Sequence, residues 1–445
     1  MIAVAVGPSP LLNIVRGNED ENVRNKLVLL LASMGFTLAV AGSGASVDGR
    51  FKDFKECFST LKLFSADGPR QKNPSSEASS QKQKDPERRY LVIDKQVIYN
   101  GRLGVSLPCV VKAANGDLLV QFNSGSDCWP GSTAYLMRST NAGKTWSGPV
   151  KLIGPRRKGG ALHTNVGITL LRNGDLILPI ADAKIRDESR GFPNPKHGGH
   201  EFAQTQVTIS HDNGKTWFDP IPANGKLPWS APHGRPVEMP DGRLLLPLWA
   251  SDLPSGPKEF GVDAYAGYLV SRDGGRTWGE FQKMGPFGEV SLLLLKDNKT
   301  ILATLKQHPT RLTHVVRSDD GGRTWSQPKH FGVQVKNAVL HLSPSGIPLI
   351  LGSPVHAGEN RPGYLYHSLD NGRTWKEGVR LIEPIPPKYP LAYGVSAANL
   401  DGGRMLVTFF GYDPGKQETG DSPWSTTTTY LGSNVVLEKT VSGLN

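Results

Sequence analysis

An eight-residue pattern, Ser-x-Asp-x-Gly-x-Thr-Trp, recurs along the chain and limits its architecture more than any other feature. It runs from Ser210 to Trp217, Ser271 to Trp278, Ser318 to Trp325 and Ser368 to Trp375, and once from Ser139 to Trp146 with Asn141 in place of the aspartate. The Asp or Asn side chain can accept backbone N–H bonds across its own turn, and the glycine supplies a permissive backbone. The tryptophan then buries a large apolar face between neighbouring sheets. Five of the nine tryptophans sit in these turns, which makes them part of the architecture.

A second repeat interleaves with the first. Asn115-Gly116-Asp117-Leu118-Leu119, Asn173-Gly174-Asp175-Leu176-Ile177 and Asp241-Gly242-Arg243-Leu244-Leu245 are each a turn followed by an apolar strand. Less regular copies stand at Asp297-Asn298-Lys299-Thr300-Ile301, Ser345-Gly346-Ile347-Pro348-Leu349 and Gly402-Gly403-Arg404-Met405-Leu406. Asn-Gly and Asp-Gly provide the positive φ angles of tight hairpins, so each copy reads as one inner hairpin. Gly116 and Gly403 lie 287 residues apart in five steps, so six hairpins mean six units with a period near 57. With 51 glycines, 34 prolines and few long amphipathic helical patterns, the chain is expected to be all-β.

The 445 residues are expected to divide into a signal or targeting segment (1–41), a disordered polar linker (42–89) and the repeat domain (90–445). Arg24 and Lys26 precede an apolar run from Leu27 to Val40, and Ala39-Val40-Ala41-Gly42 resembles a cleavage site, which points to secretion. The run is too short for a stable membrane span, which needs roughly 20 residues. Asn298-Lys299-Thr300 is a glycosylation sequon in a turn, compatible with secretion. The formal charge of +11 favours an anionic partner, and without any nucleic-acid-binding motif that partner is not expected to be nucleic acid. Cys57, Cys109 and Cys128 match no zinc spacing; Cys109 and Cys128 can pair in an oxidising compartment, with free buried thiols as the alternative. The long insert from Arg186 to Glu201 contains His197-Gly198-Gly199-His200-Glu201 but lacks the helical HExxH context, so neither metal nor cofactor is expected.

The octapeptide resembles the Asp-box of the sialidase (neuraminidase) superfamily, also called the BNR repeat, and the resemblance covers about residues 90 to 437. It implies a six-bladed β-propeller of four-stranded antiparallel blades, with each box between the third and fourth strands, away from the active site. Six hairpins with five boxes suit a last blade without a box, and Tyr90 to Tyr99 would supply the strand that closes the ring. The family's site implies a tyrosine nucleophile assisted by a glutamate, an acid/base aspartate and three arginines that hold the substrate carboxylate. Asp127, in Phe122-Asn123-Ser124-Gly125-Ser126-Asp127, matches the acid/base loop. Glu289, in Gly288-Glu289-Val290-Ser291-Leu292, matches the glutamate, and Tyr393, in Ala392-Tyr393-Gly394-Val395-Ser396, matches the nucleophile. Taken by their residue types alone, these three also fit an Asx-turn residue, a solvated loop carboxylate and a rim aromatic.

The arginine set departs from the family. Ser106-Leu107-Pro108 stands where the first arginine is expected, Lys306 replaces the second and Lys336 the third. Lysine keeps the charge but loses the bidentate fork that clamps a carboxylate. Arg235, in His233-Gly234-Arg235-Pro236, could bind a uronate carboxylate, and His163 or His233 could act as a base near neutral pH, or either could be a hydrogen-bonded structural histidine. The expected function is therefore a secreted exo-acting glycoside hydrolase on an acidic glycan, with an atypical carboxylate site. A polysaccharide lyase on uronic-acid glycans and a non-catalytic glycan-binding propeller are the alternatives.

Overall fold

The computed structural model describes residues 2–4, 12–14, 38–40, 89–124, 131–156, 160–164, 167–185, 200–257, 262–307, 310, 312–332, 335–354, 363–382, 393–412 and 429–439. The chain divides into two compact units, Met1–Gln83 and Lys84–Asn445. In the first unit β1 (Ile2–Val4) pairs antiparallel with β2 (Leu12–Ile14) and β3 (Leu38–Val40). Apart from these strands and Arg89, the expected targeting segment and linker lie outside the described residues.

The second unit is a six-bladed propeller with no helix among the described residues. Blade 1 is β5 (Ser106–Lys112), β6 (Leu118–Asn123), β7 (Ala134–Ser139) and β8 (Val150–Ile153). Blade 2 has β9 (Gly160–His163) and β10 (Thr169–Leu170) sharing the inner position, then β11 (Leu176–Ile185), β12 (His200–Ser210) and β13 (Ile221–Pro222). Blade 3 is split in the same way: β14 (Trp229–Pro232) and β15 (Val237–Glu238) pair with β16 (Leu244–Ser251), followed by β17 (Tyr265–Ser271) and β18 (Gly279–Gly285). Blade 4 is β19 (Val290–Leu294), β20 (Ile301–Lys306), β21 (Thr313–Ser318) and β22 (Lys329–His330). Blade 5 is β23 (Val335–Leu342), β24 (Pro348–Pro354), β25 (Gly363–His367) and β26 (Lys376–Ile382). Blade 6 is β27 (Tyr393–Asn399), β28 (Arg404–Tyr412), β29 (Thr429–Glu438) and, as its outermost strand, β4 (Tyr90–Tyr99). The first strand of the domain thus completes the last blade, from Tyr90 opposite Glu438 to Tyr99 opposite Leu431. Closure leaves the ring without an open edge between its ends.

The core lies between the blades. Six main apolar clusters lie between neighbouring blades, such as Val110, Val120 and Phe122 with Leu406 and Phe410, or Leu302 with Val335 and Ile350, and the one between blades 1 and 2 also takes in Val339 of blade 5. Blade sheets are therefore buried on both faces, which is why strands such as Leu118–Asn123 are buried at every position.

Each box starts where the third strand ends, opposite the first residue of the second strand: Ser139 faces Leu118, Ser210 faces Leu176 and Ser318 faces Ile301. The boxes thus sit beside the inner hairpins. Within the box of blade 2, Asp212 accepts the Lys215 and Thr216 N–H groups at 3.0 and 2.8 Å and the Thr216 hydroxyl at 2.6 Å. Ser210 Oγ donates to Asp212 at 2.8 Å and accepts the Gly214 N–H at 2.8 Å. These bonds, led by that of the Thr216 hydroxyl, hold the Asp212 carboxyl well below the usual carboxylate range. Asp320 is depressed for the same reason, with the Thr324 hydroxyl foremost.

The box also ties a blade to its predecessor. Arg138, Arg243 and Arg317 reach forward to the box carbonyls of Asn213, Gly321 and Asn371 in the next blade. Blade 6, which lacks a box, uses Glu438 at the end of β29. Its carboxylate accepts the Ser343 and Ser345 hydroxyls at 3.1 and 2.7 Å and the Ser345 N–H at 3.0 Å, all from the inner hairpin of blade 5.

Candidate functional site

The opposite end of the propeller, where inner strands begin and second strands finish, carries the candidate chemistry. In blade 4 the hairpin register pairs Val290 with Leu305, so Glu289 and Lys306 fall side by side just beyond it. The Lys306 N–H donates to the Glu289 carbonyl at 3.1 Å, and Lys306 Nζ lies 2.6 Å from Glu289 Oε1. The lysine side chain is 11% exposed and the glutamate 25%, so the cation is the more withdrawn member of the pair. A cavity of about 10 Å³, room for one water, is lined by this pair with Thr304, Thr313, Val335 and Ala338.

Blade 3 adds a histidine. His233 is buried, its Nδ1 lies 3.3 Å from the Val290 carbonyl and its Nε2 lies 3.8 Å from Glu289 Oε2. Gly234 permits this approach: at φ +85° a Cβ there would sit 3.0 Å from the Val290 oxygen and 3.1 Å from Ser291 Cα. Three sequence-selected residues from two blades, His233, Glu289 and Lys306, therefore meet, with Glu289 in the middle.

Arg235, two residues further on, goes elsewhere. Its Nη2 crosses to the innermost strands of blades 1 and 6, donating to the Val110 carbonyl at 2.6 Å, Ser396 Oγ at 2.9 Å and the Ala397 carbonyl at 3.0 Å. Ser396 Oγ also accepts the Val110 N–H at 3.1 Å. The guanidinium is thus a brace between blades. Burial and then the Arg235 cation push the His341 imidazole down to about 4, and its Nε2 lies 3.0 Å from Asn399 Oδ1. His341 is therefore neutral at pH 7. Cys109, buried and free, is 3.5 Å from the Ser396 hydroxyl.

In blade 1, Ser106 pairs in register with Asn123, and both are buried. Asn123 Oδ1 accepts the Thr164 hydroxyl of blade 2 at 2.8 Å and the Gln121 amide at 3.3 Å. A neutral polar seam therefore stands where the first arginine was expected. Leu107 next to Ser106 has φ 49°, the left-handed region that non-glycine residues rarely occupy, at a register shift between Ser106 and Cys109.

Tyr393 is the first residue of β27, paired with Phe410, so its backbone begins blade 6 at the same end of the propeller. His163 is the last residue of β9, opposite Ala181, and Lys336 lies in β23 opposite Ser353. Asp127 and most of the insert from Arg186 lie outside the described residues. The mutual pairing of Glu289 and Lys306 had a sequence signal: both are equidistant from the Asp297-Asn298 turn. Gln121 and Asn123, inside a strand, and Thr164, just after one, had none, because polar residues there look like ordinary solvent-facing positions.

A family model for the BNR repeat-like domain matches residues 191–402. A sialidase from Bacteroides fragilis is 24% identical over 315 residues, covering 62% of this chain. The chain is thus similar to BNR-repeat proteins over residues 191–402 and to a sialidase over a longer stretch. It spans about half, 55%, of that relative's length. Among solved structures, a protein of unknown function from Dyadobacter fermentans matches over its whole length and 79% of this chain, with TM-score 0.63 and 18% identity. A Hadza microbial sialidase matches over 65% of its length and 75% of this chain, with TM-score 0.54 and 16% identity. At such identities the structural likeness speaks for the propeller fold. At this end of the propeller the protein holds a lysine already joined to a carboxylate in blade 4, and a buried serine and asparagine paired in register in blade 1. No helix among the described residues is long and apolar enough to cross a membrane.

Proposed function

We propose that this sialidase-like propeller is a secreted exo-acting glycoside hydrolase for a sugar that carries one carboxylate. The observation that carries the reading is the Glu289–Lys306 pair at 2.6 Å, standing at the same end of the propeller as the start of the Tyr393 strand and opposite the boxes. Tyr393 is the nucleophile: its oxygen bonds to the anomeric carbon as the bond to the leaving oxygen breaks, and Asp127 gives that oxygen its proton. Water then attacks the same carbon, Asp127 takes a proton from it, and the tyrosine oxygen leaves. Glu289 accepts the Tyr393 proton in the first step and returns it in the second. A phenol, neutral before it reacts, suits an anionic sugar better than a carboxylate nucleophile, departing from the usual pair of carboxylates. Lys306 supplies the positive charge for the substrate carboxylate. Arg235 is left out of that role, because its Nη2 is bound to blades 1 and 6.

Fluorogenic sialoside and uronide substrates test this directly. The wild-type chain should release the fluorophore from at least one of them, and Tyr393→Phe should lower the rate by about a thousandfold with unchanged melting. Undiminished turnover in that variant would remove the mechanism. The lyase reading draws on His233 and Lys306 both standing against Glu289. It requires a product absorbing in the near ultraviolet from a uronate polymer.

A further inference from the structure

We propose that Glu289 is the resident anion of a carboxylate subsite centred on Lys306, and that an acidic sugar binds by taking its place. The inference rests on the hydrolase reading for its consequence, though not for the exchange itself.

Three features set up an exchange. Lys306 is the fixed partner: it ends strand β20, is 11% exposed, and lies against the cavity lined by Thr304, Thr313, Val335 and Ala338. Glu289 stands just outside strand β19 and is the more accessible member, so an anion entering from the mouth meets the ion pair from the glutamate side. His233, on the far side at 3.8 Å from Oε2, gives the carboxylate a second neighbour when Oε1 leaves the lysine. An ammonium is a compact point charge without a preferred bidentate geometry, so one carboxylate can replace another on it with little rearrangement. Arginine spreads five donors over a planar fork, whereas lysine presents its three from a single nitrogen, so two carboxylates on it crowd and repel each other.

The exchange turns recognition into activation. A neutral sugar leaves Glu289 on Lys306. A sugar carboxylate occupies Lys306 and frees Glu289 to accept the proton of Tyr393. The site then works only on ligands that bring their own anion, although it lacks the family's three arginines.

Calorimetric titration of free N-acetylneuraminic acid and D-glucuronic acid tests the exchange, with N-acetylmannosamine and glucose as neutral controls. Glu289→Gln removes the resident anion, so at least one acid should bind about tenfold tighter than to wild type while the neutral sugars are unaffected. Lys306→Met should abolish acid binding. Glu289→Asp, which draws the carboxylate back by one methylene, should tighten binding in the same direction and serves if the glutamine variant does not fold. Acid affinity that is unchanged or weaker in both Glu289 variants would overturn the proposal, as would acid binding undisturbed by Lys306→Met. The two readings fail separately. Tighter acid binding in Glu289→Gln with no hydrolysis by wild type leaves the subsite and removes the hydrolase, whereas Tyr393-dependent hydrolysis without tightening does the reverse.

Discussion

At the box end of the propeller the same bonds recur from blade to blade, whereas at the channel mouth each blade presents different residues. Ser-to-Asp, Gly-to-Ser and Thr-to-Asp bonds repeat in the boxes of blades 2, 4 and 5 with lengths between 2.6 and 2.8 Å. The mouth shows a carboxylate–lysine pair in blade 4, a buried histidine in blade 3 and an amide–hydroxyl seam between blades 1 and 2. Repetition at one end means that each blade solves the same packing problem there. Irregularity at the other means that packing does not dictate those residues, which leaves them available for recognition.

The contrast can be broken from the middle of the molecule. Arg235 belongs by sequence to the mouth residues but acts structurally, so Arg235→Met should lower stability by about 3 kcal/mol, the scale of losing charge-assisted bonds to buried acceptors. Urea unfolding measures it. A loss near zero would put Arg235 back among residues free for substrate.

Acid titration separates the two ends next. The box aspartates Asp212 and Asp320 titrate lower in the folded chain than in the unfolded one. Their contribution is therefore fully present above the ordinary carboxylate value, about 4, and is lost as pH falls through that value toward the depressed folded one. The melting temperature should decline below pH about 4, and Asp212→Asn should flatten the decline while costing about 1 kcal/mol at pH 7. An equally steep decline in that variant would show that the boxes do not carry the acid sensitivity.

The smallest effect comes from the one irregular box. In blade 1, Asn141 Oδ1 accepts the Thr145 N–H at 2.9 Å, and its amide donates to the Thr145 hydroxyl at 2.8 Å. The direction of the side-chain bond is thus reversed from the other boxes. Asn141→Asp should change stability by no more than about 0.5 kcal/mol at pH 7 and add slightly to the acid decline, as melting curves at two pH values would show.

Much of the fold was legible because its signals are local. A box closes its bonds within eight residues, and a hairpin is set by its turn, so both can be read from the chain alone. The blade count and the closing role of Tyr90–Tyr99 followed, and the structure has both. Glu289 and Lys306 were singled out separately, one as a helper and one as a carboxylate binder. Their equal distance from the Asp297-Asn298 turn hinted at a pairing, and the hairpin register with the 2.6 Å contact shows that they occupy each other.

The amino-acid order by itself determined six units, their all-β character and which residues stand at each blade start, because these depend on periodicity and turn chemistry over short stretches. Tertiary structure alone decided that His233 leans on Glu289, that Arg235 braces strands carrying Ser396 and Val110, and that Glu438 takes the place of a sixth box. Those partners lie between 56 and 161 residues apart. What brings them together is the packing of whole blades around a closed ring, which no local pattern records.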